Sequence, residues 1–291
     1  MTTPAAPGGR AGRLLVVGTP IGNLGDLSPR AAEALRSADL IAAEDTRLAA
    51  RLLAHLGART RTISFNEHNT AARLPALLAR LAEGAVVALT TDAGMPSVSD
   101  PGAALVAAAR DAGHVVESVP GPSAVTTALS LAGVEATGFL FGGFLRGRSQ
   151  ATRRSALERL LHAAAASGVP LLLFEAPHRV VRLLGELAAA APDARVAVCR
   201  ELTKRHEEVL IGRAAEVGAS LREQRGEFTI VVSGLKPATT DASPALDVEG
   251  LVRAAGAAGL SHRTLVELLR ATGVPRREAY RLAASPSAAA R

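Results

Sequence analysis

The sequence predicts an α/β protein: two α/β domains, each with a roughly five-stranded mixed sheet flanked by helices, followed by a small all-helical module. Three observations carry this. Short apolar runs alternate with segments of helical period, the pattern of helix-covered sheets. Ten such runs occur, more than one sheet usually holds. The strand pattern stops after Leu235.

Residues 1–12 are a Pro/Gly/Ala-rich tail, read as disordered; without an apolar core it is no signal peptide. The runs 13–18, 40–43, 60–65, 86–90 and 115–119 are the strands expected of an N-terminal domain, 13–120. Ser28-Pro29 opens a helix, with Ser as N-cap and Pro in the first turn. Segments such as 48–56 and 74–81 place apolar residues at i, i+3 and i+4. Pro120-Gly121-Pro122 is the natural boundary. The runs 139–144, 170–174, 196–199, 208–211 and 228–232 belong to a second domain, 121–235. Residues 236–246 are Pro/Thr/Ser/Asp-rich and read as a linker. Residues 247–291 hold three short helices, 248–257, 261–272 and 276–284, arranged as a helix-turn-helix-like extension. Ser261 and Pro275 sit at their starts, Gly259 and Gly273 at their ends. Such a piece is either a nucleic-acid module or a helical cap.

The 291 residues carry a net charge of +6, with Lys204 and Lys236 the only lysines. The excess of arginine fits an acidic partner such as nucleic acid, or a compositional bias. No Trp and a single Tyr, Tyr280, argue against gripping single strands by aromatic stacking. The lone Cys199 cannot form an internal disulfide, which fits a reducing compartment. No apolar stretch approaches the ~18 residues a membrane span needs. The expectation is a soluble, cytoplasmic protein.

Candidate site residues follow the strands. Leu14 to Val17 run into Gly18-Thr19-Pro20-Ile21-Gly22, either a tight turn or a ligand wall at the carboxyl end of a sheet. The loop lacks the Lys-Ser/Thr of a P-loop and the spacing of a dinucleotide fingerprint. The loop from Asp92 to Gly102 is longer than a turn requires, and Asp100-Pro101 should cap the next helix. Pro120-Gly121-Pro122-Ser123-Ala124 offers free N–H groups at a helix start. Charged clusters end other strands: Glu44-Asp45-Thr46-Arg47, Asn66-Glu67-His68-Asn69, Glu175-Ala176-Pro177-His178-Arg179, and Arg200 to Glu208. No Cys/His pair has zinc spacing, and no Gly-x-Ser-x-Gly elbow is present.

Nine segments, in order, resemble one family. They are Gly18-Thr-Pro-Ile-Gly-Asn-Leu24, Ala43-Glu-Asp-Thr-Arg47, His68-Asn69, Asp92-Ala-Gly-Met-Pro96 with Ser99-Asp-Pro-Gly102, Pro120-Gly-Pro-Ser123, Phe141-Gly-Gly-Phe-Leu145, Glu175-Ala-Pro-His-Arg179, Arg200-Glu-Leu-Thr-Lys204 and Gly226-Glu227. They look like the ribosomal RNA small-subunit methyltransferase I family, of the tetrapyrrole-methylase-like class III superfamily. The resemblance covers about residues 14–234; the C-terminal helices match more loosely.

The resemblance implies a cleft between the two domains that binds S-adenosylmethionine. It implies methyl transfer to the ribose 2′-hydroxyl of a cytidine in the decoding centre of 16S rRNA. The partner would be the small ribosomal subunit, the working form a homodimer, with no membrane and no metal. By motif position the cofactor contacts fall on Thr19, Pro20, Ile21, Asp92, Gly94, Met95, Pro96, Ser123, Ala124, Phe174, Glu227 and Phe228. No catalytic base carries over. A ribose hydroxyl needs a nearby proton acceptor, and Glu44, Asp45, His68, Glu175 and Lys204 are the candidates, with His178 and Glu201 beside them. Arg47, Arg146, Arg148, Arg153, Arg154, Arg179, Arg205, Arg276 and Arg277 suit phosphate contacts, and those around 146–154 are expected to line the RNA path. Two other readings stay open: methylation of a tetrapyrrole or other small molecule, and non-catalytic ribosome binding on a methylase scaffold.

Overall fold

The computed structural model describes residues 12–97, 102–147, 149–236, 248–257, 260–272 and 274–284. The chain divides into two compact units at 237/238. The first unit holds two five-stranded sheets with flanking helices.

The first sheet uses β1 (Arg13–Val17), β2 (Leu40–Ala43), β3 (Thr62–Ser64), β4 (Val86–Thr90) and β5 (Val115–Val119), in the order β3-β2-β4-β1-β5. Helices α1 (Pro29–Ser37), α2 (Thr46–His55), α3 (Thr70–Ala82) and α4 (Ala103–Asp111) make the crossovers. Every pairing is parallel, so this sheet is not the mixed one expected. A helix between each pair of consecutive strands returns the chain to the same sheet end, which forces parallel strands. β2 and β4 are buried at every position, as befits strands covered on both faces. Leu15, Ile41 and Ala88 pack one face, and Leu14, Leu77, Leu89 and Leu105 the other. Burying each of these leucines contributes roughly 1.5–3 kcal/mol.

The second sheet is mixed. It uses β6 (Leu140–Phe144), β7 (Leu171–Glu175), β8 (Arg195–Arg200), β9 (Glu208–Arg213) and β10 (Phe228–Ser233), in the order β6-β7-β10-β8-β9. Only β6 and β7 are parallel; the other pairs are antiparallel. Helices α6 (Gln150–Ser167), α7 (Val180–Ala190) and α8 (Ala214–Ser220) flank one core with Leu157, Leu173, Leu183 and Ile230. α5 (Ala124–Ala132) packs the opposite face with Leu172, Cys199 and Val231, and Ile21 of the β1 loop joins that core. The first strand's loop is thus buried against the second sheet.

Caps agree with the sequence where they can be seen. Ser28 accepts the Ala31 N–H at 3.1 Å, and Ser149 and Thr152 form a capping box on α6. The expected Asp100-Pro101 cap lies outside the described residues.

The second unit holds α9 (Val248–Ala257), α10 (His262–Ala271) and α11 (Arg276–Ala283). Leu265, Val266, Leu269, Ala279 and Val252 form its core. Ser261 caps α10 by accepting the Thr264 N–H at 3.2 Å, and Pro275 is the N-cap of α11. Gly259 and Gly273 lie outside the described residues. Among the described residues no helix is long and apolar enough to cross a membrane.

Candidate functional site

Three loops at the carboxyl ends of β1, β4 and β5 are fused into one wall. Thr19 donates its N–H to Gly94 O at 2.9 Å and accepts from Gly94 N at 3.1 Å. Its buried hydroxyl donates to Thr91 O at 3.1 Å. Gly94 has φ +82°, open to glycine at little cost. On the other side Gly18 touches Gly121, where a Cβ on Gly18 would lie 2.6 Å from the Gly121 Cα.

The opposite wall is the 201–204 turn with the start of β10. Glu201 donates its N–H to Glu227 O at 2.9 Å and accepts the Glu227 N–H at 3.0 Å on Oε1. Lys204 Nζ lies 2.8 Å from Glu201 Oε1 and 3.1 Å from Glu227 Oε2. Burial pulls the Lys204 ammonium down, but hydrogen bonds to Glu201 and Glu227 outweigh it and raise its pKa. Burial likewise pushes Glu201 up, but the hydrogen bonds from Lys204 and the Glu227 N–H together with the charges of Lys204 and Arg200 override it, leaving the carboxyl lowered. Glu201 and Thr203 adopt φ +53° and +65°, unfavourable by about 1–3 kcal/mol each for non-glycine residues. A Cβ on Gly22 would sit 2.4 Å from Lys204 Cγ, so the β1 loop seats directly on this turn.

Two adjoining hollows open between these walls. The first, about 440 Å³, is lined by Phe144, Phe174 and Phe228, by Gly94, Met95, Ser123 and Ala124, and by Glu44, Asp92, Glu175 and Glu227. Phe174 stacks edge-on against Phe141 at 5.0 Å and lies 5.5 Å from Phe144. No Lys or Arg of the described residues lines it. The second hollow, about 410 Å³, is lined by the apolar Ile41, Leu48 and Leu52 and by Thr19, Pro20 and Gly22 of the β1 loop. Asp45, Arg51 and Lys204 also line it. The two share Ile21, Asp92, Ala93 and Glu227.

A chain of carboxylates runs along the sheet end. Glu44 Oε2 accepts from Thr91 Oγ1 at 2.7 Å and from Asp92 N at 3.3 Å. Asp92 Oδ1 accepts the Asp45 N–H at 2.9 Å. Asp45 in turn accepts the Arg47 N–H at 2.8 Å and its guanidinium at 2.6 Å. That guanidinium hydrogen bond leads in holding the Asp45 carboxyl down at about 2. Partial burial, then the neighbouring Glu44, pushes Asp92 up.

Of the residues expected to hold the cofactor, Ile21, Asp92, Gly94, Met95, Ser123, Ala124, Phe174, Glu227 and Phe228 line the first hollow. Thr19 and Pro20 line the second instead. Pro96 lines neither; it is buried beneath Gly102. Among the base candidates, Glu44 faces the first hollow and Asp45 and Lys204 the second. His68 and His178 are exposed and line neither.

The structure corrects two readings. Arg153 does not line an exposed path: it is buried, donating to Leu145 O at 2.7 Å and to Glu175 Oε2 at 2.7 Å. Glu175 is not a free base. Its fully buried carboxylate is held between Arg153 and Arg179, the latter at 2.6 Å. Arg47, Arg146, Arg154 and Arg205 are exposed, as are Arg276 and Arg277 on α11 of the second unit; Arg148 lies outside the described residues. Sequence reasoning missed Phe144, Leu202 and Gly226 as lining residues. All three lie in or beside segments quoted for the resemblance, so the signal was present.

The model of the Tetrapyrrole (Corrin/Porphyrin) Methylases family matches residues 13–218. A ribosomal RNA small subunit methyltransferase I of Micromonospora olivasterospora is 44% identical over 93% of this chain and 86% of its own. The protein of that name from Synechocystis is 40% identical over 93% and 97%. Two solved structures share the fold. A diphthine synthase aligns at TM-score 0.60 with 19% identity, over 76% of this chain and 90% of its own. A uroporphyrin-III C-methyl transferase from Thermus thermophilus, complexed with S-adenyl homocysteine, aligns at 0.54 with 22% identity, over 77% and 98%. Matched along nearly its whole length by relatives that match nearly whole in return, the chain belongs to the ribosomal RNA small subunit methyltransferase I family of tetrapyrrole methylases.

Proposed function

We propose that this chain is an S-adenosylmethionine-dependent methyltransferase of 16S rRNA, acting on the ribose 2′-hydroxyl of a decoding-centre cytidine in the small subunit. The observation that carries the reading is the first hollow. It combines phenylalanine faces with carboxylates and, among the described residues, no lysine or arginine. That lining suits a ligand with an aromatic base and a cationic centre, and disfavours a polyphosphate. Phe174 and Phe144 would flank the adenine, Glu44 and Asp92 would face the sulfonium, and the α5 start at Ser123-Ala124 would take the carboxylate. When bound, the cofactor supplies an electrophilic methyl group. The chain's own work is alignment, and holding the hydroxyl oxygen in line with that methyl accounts for much of the barrier reduction. The adjoining hollow gives the acceptor a separate entrance, and the exposed Arg47, Arg146 and Arg205 suit the phosphates around it.

The reading includes a cytoplasmic homodimer. Ile211 on the open edge strand β9 is 47% exposed and offers a second copy an apolar contact; sedimentation of the purified chain measures that state. The chemistry is tested by incubating the protein with tritiated S-adenosylmethionine and 30S subunits, naked 16S rRNA or a tetrapyrrole. Label in the rRNA is the expected result. Label in the tetrapyrrole alone contradicts it, and absence of cofactor binding by calorimetry leaves only a ribosome-binding scaffold.

A further inference from the structure

We propose that Asp92 is the general base of the reaction, receiving the proton of a ribose hydroxyl presented from the second hollow while the donor occupies the first. The proposal rests on the methyltransferase reading above. In-line displacement puts nucleophile and leaving group on opposite sides of the transferred carbon, so donor and acceptor need adjoining sites with one common wall. Ile21, Asp92, Ala93 and Glu227 are that wall. Only Asp92 and Glu227 among them carry a side-chain proton acceptor. Glu227 is ion-paired with the Lys204 ammonium through Oε2 at 3.1 Å, whereas no ion pair from a described residue reaches Asp92. Asp92 has Oδ1 fixed by the Asp45 N–H at 2.9 Å, and no hydrogen bond from a described residue reaches its Oδ2.

Asp45, Glu175 and Lys204 are excluded by their partners, and His68 lines neither hollow. Both Asp45 oxygens are on Arg47. Both Glu175 oxygens are on arginines. Lys204 is a cation clamped by two carboxylates. Glu44 is set apart by position, since it lines only the donor side, where its Oε2 holds both the Thr91 hydroxyl and the Asp92 N–H. Glu44 is therefore a positioning residue. The charged groups around Asp92 are Glu44 and Asp45 from the β2–α2 turn, Arg47 from α2, and Lys204 and Glu227 across the hollows. Partial burial and Glu44 raise its proton affinity, the direction that strengthens a base.

In the step, the 2′-oxygen forms a bond to the methyl carbon as the carbon–sulfur bond breaks. The electron pair of that bond goes to sulfur, converting the sulfonium to a neutral thioether. The O–H proton passes to Asp92 and from there to solvent.

The test is Asp92→Asn, which keeps an acceptor for the Asp45 N–H. Asp92 also faces the donor, so calorimetry should give a cofactor Kd raised by at most about tenfold, ~1.4 kcal/mol. Single-turnover transfer to 30S subunits should fall by about 10²-fold or more. Asp92→Glu, which restores a carboxylate, should recover part of that loss. Since Asp92 must be ionised to act, the rate should fall as pH drops through its raised pKa. Glu44→Gln should move that acidic limb to lower pH. Loss of cofactor binding in Asp92→Asn that accounts for the whole rate loss overturns the proposal, as does an unshifted limb in Glu44→Gln. A wild-type protein that binds cofactor but labels no RNA overturns the underlying reading instead, before any variant is made.

Discussion

Gly18 and Gly121 meet backbone to backbone. A Cβ on either would approach the other's Cα to 2.6 or 2.8 Å, closer than real side chains come. The contact locks the β1 loop to the Pro120-Gly121-Pro122 crossing, and the Gly18 N–H reinforces it by donating to Val119 O at 2.9 Å. Gly121→Ala must push these backbones apart. Overpacking of this kind costs about 1–3 kcal/mol, and the lowered denaturation midpoint should come with weaker cofactor binding. A wild-type midpoint and affinity would contradict the lock.

The Glu175 carboxylate is fully buried between Arg153 and Arg179. Glu175→Ala leaves the buried Arg153 without its partner, a loss of roughly 3–5 kcal/mol. Arg154→Ala, one position from Arg153 but paired with exposed Glu158, should stay within ~0.5 kcal/mol. Urea unfolding of the two variants gives the comparison; similar losses would mean the buried pair is not what holds this wall.

Asp45 offers a pH-dependent signature. Its folded carboxyl sits at about 2, below the ~3.9 of an unfolded aspartate. The stabilisation is therefore complete above the unfolded value and is lost as pH falls toward the folded one. A carboxyl carbon NMR titration should place the midpoint near that low value, and Arg47→Ala should return it toward ~3.9. Because Arg47 is 85% exposed, added salt should narrow the gap. An ordinary midpoint in the wild type would contradict the pairing.

The aromatic wall makes a prediction about affinity. Phe174→Ala removes the ring at the centre of the Phe141–Phe174–Phe144 group. Calorimetry should show the S-adenosylmethionine Kd raised tenfold or more, about 1.4 kcal/mol. His68→Ala, which lines neither hollow, should leave it unchanged. Equal effects would place the cofactor elsewhere.

Much of this was legible in the chain. The two sets of apolar runs announced two sheets, because strands buried on both faces read as continuous Val/Ile/Leu/Ala segments. Gly and Pro marked the loops that carry the site, since those loops make close backbone contacts. What was hidden depended on pairing over distance. Arg153 and Glu175 are 22 positions apart, and nothing local in α6 shows that this one arginine turns inward. Phe144 was within a segment quoted for the resemblance, but which residue of that segment lines the cleft depends on the β6–β7 register, which shifts between Phe141 and Gly143. Strand direction was only partly hidden: the helix between each pair of consecutive strands already implied parallel pairing in the first sheet, and only the second is mixed.

The central claim is methyl transfer to a ribose of 16S rRNA. Its most direct measurement is mass spectrometry of nucleosides from 16S rRNA of unmethylated 30S subunits, after incubation with the protein and S-adenosylmethionine. The account predicts 2′-O-methylcytidine, formed only with both protein and cofactor present. A methyl group on a base, or no methylated nucleoside while the protein demonstrably binds its cofactor, would contradict it.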